Sequence, residues 1–180
     1  MTQAAGQFSV DNGRSFRVLA ADFEEPQFAQ LLYQQIDDAD SRLVVIYTRS
    51  HAELSQRLEP FSRRSGLSIY SWTQDRGFIS LRDNGVVVPG TRRLPDALRF
   101  IQQSGHFGVY LLPCTGPSFT PPLVAQLRQI ARADDGIGRK IVLLSEDGNV
   151  PATLSSYCAH VQLEPRSRAP LRLRDGRWIR

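Results

Sequence analysis

The stretch "RLVVIYTRSHAEL", residues 42–54, passes from a strand directly into a helix. Its first half is a nearly continuous apolar, β-branched run, the composition of a strand covered on both faces. Ser50 with Glu53 three residues on matches a capping box, and Leu54, Leu58 and Phe61 then form an apolar stripe, so a helix is predicted from His51. Pro60 has no N–H to donate and is predicted to kink or shorten that helix before Gly66 closes it. Junctions of this kind hold phosphates in many nucleotide-binding proteins.

The same alternation extends outward in both directions. Upstream, "EEPQFAQLLYQQIDD" carries Pro26 near its start and Phe28, Leu31, Leu32 and Ile36 at helical spacing. Downstream, "LSIYSW", "FGVYLLP", "RKIVLLS" and "HVQLEP" read as strands. Between them lie the helices "LPDALRFIQQSG", with Pro95 in its first turn, and "TPPLVAQLRQIARADDG", capped by Thr120, and a short helical turn from Pro151 through Tyr157. Strands separated by helices need crossover connections, which makes a three-layer α/β domain with a mainly parallel sheet of about five strands. Asn84-Gly85 marks a hairpin over 78–88 that leaves the main run of strands, and "DNG" at 11–13 marks another over 8–20. Asp175-Gly176 sits between "LRL" and "RWI" in the same way. Residues 1–165 read as one domain and 166–180 as a basic hairpin or tail.

At 180 residues with 41% hydrophobic and 22% charged side chains, the composition is that of an ordinary globular domain. No apolar run approaches the ~20 residues of a membrane span, and "MTQAAGQFSVDNG" has no secretory pattern, so a cytoplasmic location is expected. Cys114 and Cys158 belong to no spaced cluster and are expected to be separate thiols. The formal charge of +4 is concentrated near the end of the sequence, where Arg166, Arg168, Arg172, Arg174, Arg177 and Arg180 surround Trp178. Such a segment suits phosphates or an acidic protein face.

Against the phosphate-binding pattern G-x-x-x-x-G-K-[ST], "TRSHAEL" offers neither glycine nor lysine. P-loop ATPases also place an acidic residue at the end of a second strand to hold magnesium. The matching strand here, "VYLLPC", ends in Pro113 and Cys114. What remains at the carboxyl ends of strands is Arg49, Ser50, His51 and Ser145, the nucleotide-binding candidates, with Glu146 and Asp147 following Ser145. Pairing of Cys114 with His51 or His106 for thiol catalysis is disfavoured because a strand-end cysteine is ordinarily packed. His160 has no ligand-spaced neighbour. No catalytic residue, metal or cofactor is expected.

From about Leu31 to Pro165 the chain resembles the non-catalytic N-terminal domain that precedes the ATPase module in a family of bacterial and plastid AAA+ ATPases. The features that carry this are "LVVIYT", "IYSWTQDRGF", "PDALRFI", "VYLLP", "LVAQLRQIA", "IVLLSE" and "VPATLSSYCAHVQLEP", in matching order and spacing. The resemblance implies a degenerate P-loop-like fold and a supporting or recognition role, and it transfers no catalytic residue.

Three functions are therefore expected in order. The first is a non-enzymatic module that binds a protein, with an ATPase acting in trans among the partners, through the Asn84-Gly85 hairpin and the basic C-terminal segment. The second is a nucleotide sensor without ATPase activity, and the third is electrostatic nucleic-acid binding.

Overall fold

The strand-and-helix alternation builds one eight-stranded sheet with helices on both faces. The computed structural model describes residues 7–11, 14–19, 25–114, 119–147 and 150–163. The strands are β1 (Gln7–Asp11), β2 (Arg14–Leu19), β3 (Leu43–Tyr47), β4 (Ile69–Thr73), β5 (Gly77–Ser80), β6 (Gly108–Pro113), β7 (Arg139–Ser145) and β8 (Cys158–Leu163). The helices are α1 (Glu25–Asp37), α2 (His51–Ser65), α3 (Leu94–Gln103), α4 (Pro121–Arg132) and α5 (Ala152–Ser155).

Across the sheet the order is β1-β2-β8-β3-β7-β6-β4-β5. The pairs from β2 through β4 are parallel, and the end pairs β1·β2 and β4·β5 are antiparallel. The five central strands β3, β4, β6, β7 and β8 run fifth-first-fourth-third-second, the P-loop-like arrangement that the resemblance implies. Both expected hairpins join this same sheet, one at each end. The turn residues 12–13 of the first lie outside the described residues.

Strand alternation sorts the core into two layers. Val44, Ile46, Val109, Leu111, Val142 and Leu144 pack beneath α1 and α2. Leu43, Val45, Tyr110, Leu112, Ile141 and Leu143 face α3, α4 and α5. At the start of β7 the same alternation directs two adjacent cations to opposite faces. Arg139, 3% exposed, donates to the carbonyls of Ile101 (2.8 Å) and Ser104 (3.2 Å) at the end of α3 and pairs with Asp135. Lys140, the one lysine of the sequence, donates to the carbonyls of Ala39 and Ser41 just after α1. Cations at helix ends satisfy the last carbonyls and oppose the helix dipole. Burial pushes the Lys140 ammonium pKa down, with Asp37 and Asp40 opposing that shift.

Helix α2 is not shortened at Pro60 and runs on to Ser65. Pro60 and Gln56, whose carbonyl loses its helical donor there, both lie on the exposed face, where water can take the place of the missing N–H. Gly66 then ends the helix at φ 72°, its N–H donating to Ser62 O at 3.0 Å.

Candidate functional site

The carboxyl ends of β3, β7 and β6 lie side by side, and α2 starts directly above them. Thr48 N donates to Ser145 O at 2.9 Å, and Cys114 N to Leu144 O at 2.7 Å, so the β3–α2 junction, Ser145 and Cys114 share one edge. In an open α/β sheet this edge is the usual ligand-binding end. Two of the four nucleotide candidates, Ser50 and Ser145, are thereby brought close, with Arg49 exposed beside them.

Thr48, Ser50 and Ser145 at this edge already have internal roles. Ser50 Oγ accepts from Glu53 N at 3.1 Å, capping α2. The return arm of the capping box is taken over by Thr48, whose Oγ1 lies 3.3 Å from the donating Ser50 N. Ser145, 1% exposed, donates to Asp147 Oδ1 at 3.1 Å. His51 turns away from the edge. Its Nε2 lies 3.2 Å from Ser71 Oγ, which is 3.0 Å from Ser55 Oγ, beneath the first turns of α2. Burial holds the His51 pKa below the ordinary histidine value, favouring neutral imidazole.

Cys114 occupies the position where a P-loop ATPase carries its acidic residue. It is buried, and burial followed by the negative charge of Asp147 pushes its thiol up to about 11. A neutral thiol neither holds magnesium nor attacks a carbonyl. His106 precedes β6, at the opposite end of that strand from Cys114, and His51 is engaged with Ser71. Both cysteines are thiols, and no cluster able to hold a metal occurs among the described residues.

A cleft of about 470 Å³ lies at the amino end of β8, lined in part by Gln35, Asp40, Ser41, Tyr157, Cys158 and His160. Gln35 Oε1 is buried there with no hydrogen-bond partner. Tyr157 is held by Arg128 and Arg132, which lower its pKa. This is the opposite edge from the one α/β sheets use for phosphates.

The arginine-rich candidates Arg166, Arg168, Arg172, Arg174, Arg177 and Arg180, with Trp178, lie outside the described residues. The Asn84-Gly85 element lies within the described residues. Asn84 (φ 53°) and Gly85 (φ 75°) form a tight turn closed by Val86 N donating to Asp83 O at 3.2 Å. Val86 and Val87, just after it, are 59% and 37% exposed, the large hydrophobic side chains left in solvent among the described residues. Residue-by-residue reading of the sequence passed over these valines, as it passed over Thr48, whereas Asp147 was seen only as a residue following Ser145. The run "GVVVP" following an Asn-Gly turn was the available signal for the valines. Among the described residues no helix is long and apolar enough to cross a membrane.

Compared with known proteins, residues 29–163 match the family described as "SpoVK-like AAA ATPase, N-terminal domain". Nothing among curated proteins or solved structures matches the chain.

Proposed function

The chain belongs to the family of SpoVK-like AAA ATPase N-terminal domains, and on that footing we propose that it is a non-enzymatic recognition module, working in the cytoplasm, whose partner is an AAA+ ATPase module. The matched region is the N-terminal domain and includes no ATPase module. The observation behind this proposal is the state of the carboxyl edge. Ser50, Thr48 and Ser145 are engaged with Glu53 N, Ser50 N and Asp147. A phosphate would have to displace those internal bonds without the glycines that let a backbone wrap it or the lysine that neutralises it. A P-loop-like scaffold lacking that chemistry offers surfaces for recognition.

The test mixes the purified chain with the purified ATPase module of a family member and follows co-elution and ATP turnover. A complex at micromolar concentrations with an altered turnover rate is expected. Absence of a complex, together with saturable ATP binding by the chain alone, would replace recognition with nucleotide sensing.

A further inference from the structure

We infer that the hairpin at the β5 edge is the docking element of this module, and that it receives an acidic segment of a protein partner carrying apolar residues between its carboxylates. The inference rests on the recognition role proposed above and names the surface and the chemistry of its occupant.

The hairpin is a rigid platform. Ser80 N donates to Val86 O at 2.9 Å and Val88 N to Phe78 O at 2.8 Å, which pairs the returning segment with β5. Its base is bolted to the sheet through Thr91, 1% exposed, which accepts from Phe78 N (2.9 Å) and donates to Val88 O (2.7 Å). Trp72 Nε1 donates to Thr91 O at 2.7 Å. Gly77, at φ 80°, lets these strands approach so closely that a Cβ would stand 2.6 Å from Thr91 Oγ1 and 2.9 Å from Arg92 N. Binding surfaces held in place beforehand lose less entropy on association.

The segment 75–93 that holds the exposed valines carries more cations than anions. Arg76, Arg82, Arg92 and Arg93 are exposed, against Asp75 and Asp83 in the same segment. Arg82 is paired with Asp83, whereas Arg92 and Arg93 form no ion pair with another described residue. Exposed apolar side chains in a segment that also carries the unpaired Arg92 and Arg93 complement an acidic surface with an apolar centre.

Other occupants fit less well. In the ladder, Val87 directs its own N–H and C=O away from β5, but Pro89 follows and cannot donate, so the free edge is too short to add a strand. A second copy would set arginines against arginines. Nucleic acid would find phosphate contacts but no stacking surface, since Trp72 and Phe78 are both buried. Two valines are little to insert into a bilayer.

The experiment titrates the full chain with a fluorescent octapeptide alternating glutamate and leucine, beside a glutamate–serine control, a single-stranded oligonucleotide and vesicles of anionic phospholipid. Binding of the glutamate–leucine peptide is expected to exceed that of all three others. It should fall about tenfold in Arg92→Glu/Arg93→Glu and about fivefold in Val86→Ser/Val87→Ser. Unchanged melting temperatures would show both variants to be folded. Peptide affinity indifferent to both variants overturns the inference, as does tighter binding of the oligonucleotide or vesicles. Peptide binding that responds to both variants, with no capture of the ATPase module, leaves the docking surface standing and removes the proposed partner. A complex with the module that ignores both variants does the reverse.

Discussion

The carboxyl edge above β3 and β7 and the hairpin beyond β5 treat their side chains in opposite ways. At the first, Thr48, Ser50, Ser145 and Asp147 satisfy backbone groups or one another. At the second, interior bonds through Thr91 hold the frame while Val86 and Val87 remain in solvent. The position of a site in a fold is thus separable from its chemistry. A scaffold can retain a phosphate-binding topology while its polar groups close on themselves, and present an uncommitted surface elsewhere.

The sharpest way to break this contrast is to release the hairpin. Gly77→Ala forces a Cβ at positive φ against the backbone of Thr91 and Arg92, and should cost about 3 kcal/mol in urea unfolding. Thr91→Val removes one acceptor and one donor from the same clamp and leaves the buried Phe78 N–H unsatisfied. A loss of about 2 kcal/mol is expected in the same assay. An unaltered midpoint for either variant would mean that the hairpin is not held as described.

Smaller changes sharpen the other side. Ser50→Ala removes the cap of α2 and should cost about 1 kcal/mol without altering partner capture, because that serine serves the helix. Cys114 carries a pH signature. Its folded thiol is raised to about 11 from 9.0, so the neutral form favours the fold below the lower value. That contribution is lost as pH rises from about 9 to about 11. The decline in stability measured by denaturant over this window should be shallower in Cys114→Ala, and an identical decline would remove the buried thiol from the account.

These elements were not equally legible in the sequence. The β3–α2 junction could be read because its signals are local: a β-branched run, then a serine three residues before a glutamate. The Asn84-Gly85 turn was readable for the same reason, since only a few residue pairs accept two positive φ angles in succession. The place of β5 in the sheet depends instead on Phe78 packing edge-on against the stacked rings of Tyr70 and Tyr110, with ring centroids at 6.2 and 5.4 Å. Those contacts join residues distant in sequence. Thr48 displacing Glu53 from half of the capping box is a competition between two side chains for one N–H, which no spacing rule decides. Pro60 does not end α2 because its own position and Gln56 lie on the exposed face, where water can take the place of the missing N–H. The absence of a glycine and a lysine from "TRSHAEL" was legible at once, and it is the observation from which the rest of the functional account grows.

The central claim is that the carboxyl edge no longer holds a phosphate, and thermal unfolding with ATP, ADP and GTP, with and without magnesium, tests it most directly. A nucleotide at a hundred times its dissociation constant would stabilise the fold by about 2.7 kcal/mol, a shift of about 5–10 °C for a domain of this size. The account predicts no shift with any of them. A saturable shift that disappears in Arg49→Ala would contradict it and return the nucleotide to the edge above β3.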